Sequence, residues 1–98
     1  MDRIFASNDL SGTGTIPNFT KYKEFVVIIS ATGFYKSYYV PMIFMDWANT
    51  AVTFANFWQY GNASEGYATI SINTNGYYVI GSGIGKNTSG SSISVWAR

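Results

Sequence analysis

Residues 80–88, read as Ile80-Gly81-Ser82-Gly83-Ile84-Gly85-Lys86-Asn87-Thr88, come nearest in this chain to a chemical motif. Glycines followed by Gly-Lys can hold phosphate with backbone amides, provided that a helix begins directly behind them. Two positions fail the pattern: Ile80 stands where the first glycine belongs, and Asn87 stands where a magnesium-binding hydroxyl belongs. The residues that follow alternate polar and apolar, as a strand does, so the helix is missing as well. The stretch is therefore read as a Gly-rich hairpin loop between the last two strands, with Lys86 and Asn87 as surface contacts at its tip.

Acid-base chemistry has little to work with. The chain contains no His and no Cys, which removes the usual zinc, copper and iron ligands, the common general base and any thiol nucleophile. Without His a Ser-His-Asp triad is impossible. The carboxylates are Asp2, Asp9, Glu24, Asp46 and Glu65, and a glycosidase would need two of them facing each other across a cleft. Asp46 and Glu65 are the pair to consider, although Asp46 reads more simply as a hydrogen-bonding residue at a strand end. No cofactor is implied.

Aromatic residues are the richer resource. Eight Tyr, seven Phe and three Trp make up 18% of the chain, and such side chains serve cores, subunit interfaces and the apolar faces of sugar rings. Trp58 and Tyr60 lie in register with Val52 and Phe54, so at least one of them is expected in the core. Loops carried by a rigid scaffold are where recognition usually sits, which singles out residues 61–66, "GNASEG", and 81–91. The ligand-binding candidates are accordingly Trp58, Tyr60, Asn62, Glu65, Tyr67, Lys86 and Asn87, with neither catalytic residues nor a metal site.

The elements that must position these residues follow from patterning. A chain of 98 residues suits one domain, 1–98. A short first strand near residues 4–6 leads into a turn-rich segment, 8–18. Residues 25–31, "FVVIISA", are continuously apolar and read as a strand buried on both faces. A second dense segment, 38–47, "YYVPMIFMDW", reads as an edge strand or a bulged one, because Pro41 cannot donate to a ladder. From residue 51, Val52, Phe54, Asn56, Trp58 and Tyr60 share one face, while Thr53, Ala55, Phe57 and Gln59 share the other. Residues 67–73 alternate as a half-buried strand, Asn75-Gly76 marks a tight hairpin turn, and strands follow at 77–80 and 92–98. No stretch carries a helical apolar stripe over three turns. The expected fold is an all-β antiparallel β-sandwich, jelly-roll-like, of about six to eight strands, with an up-and-down barrel as the alternative.

Charge and hydropathy restrict the partners. Charged residues make up only 11%, against about 25% in an average domain, and the net charge is +1 with no basic run. Nucleic acid is not an expected partner. The N-terminal "MDRIF" lacks the basic-then-apolar pattern of a signal sequence, and the apolar runs are broken by Lys36, Pro41 and Asp46. The expectation is a soluble protein with no membrane insertion. Two segments apolar on both faces exceed what a domain this small can bury, so a subunit interface should absorb the surplus.

Two end motifs add a resemblance. Residues 14–33, "GTIPNFTKYKEFVVIISATG", and 90–98, "GSSISVWAR", resemble small C-terminal modules of phage and prophage tail-fibre, receptor-binding or minor structural proteins. Thr15, Ile16, Pro17, Asn18, Thr20, Lys21 and Tyr22 match the entry motif of such modules, and Ile93, Ser94, Val95, Trp96 and Ala97 match their closing strand. The resemblance implies a β-sandwich homo-oligomer, a trimer by preference, located in the virion after synthesis in the bacterial host cytoplasm. It also implies a non-enzymatic role, with other virion proteins and host cell-surface glycan as partners. The alternatives are a purely structural capsid or fibre decoration protein and, after that, a polysaccharide-acting enzyme.

Overall fold

The computed structural model describes residues 1–31, 34–60, 64–84 and 91–98, without the side chains at 59, 60, 64, 65 and 84. Among the described residues eight strands run in chain order: β1 (Asp2–Ser7), β2 (Gly12–Thr15), β3 (Glu24–Ala31), β4 (Phe34–Pro41), β5 (Val52–Tyr60), β6 (Ser64–Ile72), β7 (Tyr77–Ile84) and β8 (Ser92–Ala97). A short α-helix, α1 (Met42–Ala48), connects β4 to β5, and a single 3-10 turn, Phe19–Lys21, precedes β3. The strands form two four-stranded antiparallel sheets, β1-β8-β3-β4 (sheet I) and β2-β7-β6-β5 (sheet II). The fold is an all-β sandwich. Its outer pairs, β1–β8 and β2–β7, are wrapped as in a jelly roll, whereas β3–β4 and β5–β6 are sequential neighbours.

Alternation decides which residues enter the core. In β3, Phe25, Val27, Ile29 and Ala31 are fully buried, and in β8 Ile93, Val95 and Ala97 are buried beside them. Sheet II answers with Phe54 and Trp58 from β5, Ala68, Ile70 and Ile72 from β6, and Ile80 from β7. The sheets lock through rings: Phe25 meets Phe54 edge-on at 6.1 Å, Tyr38 tilts over Phe54 at 5.2 Å, and Phe5 lies 4.5 Å from Tyr78. Each fully buried Phe or Ile contributes about 1.5–3 kcal/mol relative to exposure. Asn56 is a buried polar residue of β5, and its amide Nδ2 donates to the Ile29 carbonyl at 3.0 Å across the sheets. The Tyr38 hydroxyl donates to the Ala55 carbonyl, a second bond between the sheets.

Several expectations change. β3 is fully buried on one face only; Val26, Ile28 and Ser30 on the other are half-buried. The segment 38–47 is not one strand: β4, an edge strand as expected, stops at Pro41, and α1 starts at Met42. Proline suits a helix start, where its missing N–H is not needed. The Met42 amide instead donates to the Lys23 carbonyl, and Asn49 closes the helix in the left-handed region at φ 49°. The turn-rich segment 8–18 contains β2, and "GNASEG" runs into β6 at Ser64. The turn at residues 73–76 is a three-residue loop rather than a two-residue one, because Asn73 N–H donates to the Tyr77 carbonyl. Gly76 alone takes a positive φ there, 85°, while the Asn73 side chain accepts from the amides of Asn75 and Tyr77. Finally, β7 and β8 lie in different sheets and do not pair as a hairpin, and the stretch 85–90 between them lies outside the described residues.

Candidate functional site

The candidate residues separate once placed. Trp58 is 4% exposed, so its ring belongs to the core and is withdrawn from any ligand at the surface. Its indole lies against Gly66 on the neighbouring strand, where a Cβ would stand 2.7 Å from Nε1. Tyr67 faces outward and is 41% exposed. Tyr60 and Glu65 belong to β5 and β6, with backbones paired as Tyr60↔Ser64 and Gln59↔Glu65. Their side chains, and Asn62, Lys86 and Asn87 as a whole, lie outside the described residues.

Sheet II builds a surface around Tyr67 from residues of the opposite parity to the core. The register sets Phe57, Tyr67 and Gly83 in one row, Ala55, Thr69 and Gly81 in the next, and Thr53, Ser71, Val79 and Thr13 in a third. Tyr77 pairs with Thr15 beyond them. These four rows carry no charged residue. Phe57 is 71% exposed on the edge strand, and its ring centroid is 5.9 Å from that of Tyr67 with 36° between the planes. Gly83 has no side chain to lift Tyr67, and the ring fills the space that a Cβ there would need. Hydroxyls adjoin the rings: Thr69 Oγ1 reaches the Gly81 carbonyl at 3.5 Å, and Thr53 and Ser71 share a hydrogen bond of 2.7 Å.

A second aromatic surface lies at the Pro41 end of sheet I. Helix α1 buries Met45 and exposes Ile43 and Trp47, at 75% and 79%, on one side by their i, i+4 spacing. Phe44 packs on Trp47 at 5.8 Å. On the outer face of sheet I, exposed Tyr39 stands in one row with half-buried Val26 and Trp96. Tyr35 is exposed farther along β4. Charges border this surface: Arg98 Nη2 is 3.1 Å from Glu24 Oε1. The Tyr39 phenol is held above the usual tyrosine range, first by desolvation and then by its hydrogen bond to the Glu24 carboxylate and that carboxylate's charge.

The carboxylate pair does not come together. Asp46 is exposed on α1, in the connection that leads from β4 into β5, while Glu65 pairs with Gln59 near the far end of β5. At about 3.3 Å per residue the strand from Val52 to Gln59 is itself roughly 20 Å long, against the 5–9.5 Å or so between paired carboxyl groups in glycosidases. Among the described residues no three carboxylates cluster as metal ligands. No helix among them is long and apolar enough to cross a membrane.

Compared with known proteins, the chain matches no family model, no curated protein and no solved structure.

Sequence reasoning missed two features. Alternation sets Phe57 on one face with Thr53, Ala55 and Gln59, yet its partnership with Tyr67 depends on the register of β5 against β6. The exposure of Ile43, Phe44 and Trp47 depends on α1, which the apolar text of 38–47 concealed.

Proposed function

We propose that this protein is a non-enzymatic β-sandwich module that assembles with copies of itself, a trimer by preference, through the α1 surface and the adjoining outer face of sheet I. The observation that carries the reading is the pair Ile43 and Trp47, more than 70% exposed on a seven-residue helix in a chain with only 11% charged residues. Large apolar side chains held in water at adjacent positions are the mark of an interaction surface, and aromatics lead the composition of interface centres. The bordering charges suit a polar rim. The scarcity of acid-base groups and the separation of Asp46 from Glu65 support a role without catalysis.

The placement of the module in a virion, as a tail-fibre or receptor-binding part that meets other virion proteins and host surface glycan, rests on the resemblance of the two chain ends described above. A purely structural decoration role uses the same assembly surface and differs only in lacking a ligand. Light scattering on the protein and on an Ile43→Ser/Trp47→Ser variant tests the assembly. The expected result is an oligomer that falls to a folded monomer in the variant; an unchanged mass in the variant would remove α1 from the interface.

A further inference from the structure

We infer that the outer face of sheet II is a binding shelf for a neutral glycan, with Phe57 and Tyr67 stacking on the apolar faces of its pyranose rings. The inference rests on the non-enzymatic reading above but uses the opposite sheet, so it stands or falls apart from the assembly surface. It also moves recognition from the loops to the sheet.

Three features of the face select this ligand class. The first is shape. Phe57 and Tyr67 stand side by side at 5.9 Å and 36°, and the glycines of the neighbouring strand let the Tyr67 ring lie down over Gly83 and Thr69 over Gly81, so the rings form a low shelf instead of crowning a knob. A sugar ring offers a flat patch of C–H groups that such a platform accepts. The second is charge. Four successive rows across the sheet hold Thr, Ser, Ala, Gly, Val, Tyr and Phe and no ionised group, and the row that adjoins Phe57 and Tyr67 pairs Gln59 with Glu65, so the face offers no cation to an anionic ligand and suits a neutral one. The third is hydroxyl content. Thr69, Thr53 and Ser71 project from the same face within two rows of the rings, and their oxygens can exchange hydrogen bonds with sugar hydroxyls.

Gly83 is the positioning residue of the shelf. A methyl group at 83 would overlap Tyr67 Cε1, and because Tyr67 is exposed its ring can swing away into solvent. Gly83→Ala therefore keeps both rings in the chain while dismantling their arrangement.

The test uses the whole protein and neutral tetrasaccharides of glucose, galactose, mannose and N-acetylglucosamine, with tetragalacturonate as the charged comparison. Binding is followed by amide chemical-shift changes up to about millimolar sugar. The expected result is binding of at least one neutral tetrasaccharide, with shifts centred on Phe57, Tyr67 and Gly83. Phe57→Ala, Tyr67→Ala and Gly83→Ala should each weaken it about tenfold or more, with sedimentation and circular dichroism unchanged. Failure of all four neutral sugars to bind would overturn the inference. So would binding that survives all three substitutions, or preferential binding of tetragalacturonate. Loss of oligomerisation in the α1 variant with sugar binding intact would show the two surfaces to be separate.

Discussion

Replacing Gly66 by Ala should destabilise the protein through a side chain that the substitution does not touch. A Cβ at 66 would stand 2.7 Å from Nε1 and 2.8 Å from Cε2 of Trp58, where carbon contacts prefer about 3.5–4.0 Å. The indole must therefore move by roughly 1 Å, and it is 4% exposed in a packed layer with little room to give. Overpacking of this kind costs about 1–3 kcal/mol. Loss of glycine freedom in the unfolded chain returns about 0.4–1 kcal/mol. The net expectation is a loss of about 1–2 kcal/mol, or about 4–16 °C in Tm for a domain of this size. Urea denaturation followed by far-UV circular dichroism, at one fixed protomer concentration because assembly contributes to stability, measures it. Trp58→Leu alone should also destabilise, by leaving a cavity. Combined, the two changes should couple favourably by about 1 kcal/mol, since the new methyl enters the space that the indole leaves. A Gly66→Ala variant as stable as the parent, or strict additivity in the double variant, would refute the packing argument and reopen Trp58 as a surface residue.

Asn56→Leu should cost about 1–3 kcal/mol through loss of the bond to the Ile29 carbonyl. Asn56→Asp should cost more at neutral pH, where a buried carboxylate would face a carbonyl oxygen; equal losses in denaturation would contradict this. The raised Tyr39 phenol holds its proton more tightly in the folded state than in the unfolded one. Its contribution is therefore complete below the ordinary tyrosine range and lost as pH rises through that range to the higher folded value. Tyr39→Phe should flatten the alkaline part of the stability profile, and an unaltered profile would contradict the Glu24 contact.

Much of the sandwich is written in strand alternation. Phe25, Val27 and Ile29, then Ile93, Val95 and Ala97, announce the inner face of sheet I, and Phe54 and Trp58 announce that of sheet II, because a period of two leaves one face to be buried. What stays hidden is set by distant partners. The Gly-Thr text of β2 reads as turn and becomes strand only by pairing with β7, and residues 81–84 of β7 become strand by pairing with β6. Pro41 is legible as a break, yet Met42–Ala48 is apolar at nearly every position and carries no period from which to tell helix from strand. The candidate site divides the same way. Tyr67 is legible as a half-exposed aromatic and Trp58 as a core one through its parity with Phe54, whereas Phe57 joins Tyr67 through a register that no local pattern specifies.

Self-assembly is the centre of this account, and sedimentation velocity across the micromolar range addresses it most directly. Burial of Ile43, Phe44, Trp47 and Tyr39 against a second copy predicts one discrete homo-oligomer, with the trimer favoured, that dissociates to a folded monomer in the Ile43→Ser/Trp47→Ser variant. An unaltered protein that sediments as a monomer throughout that range would contradict it.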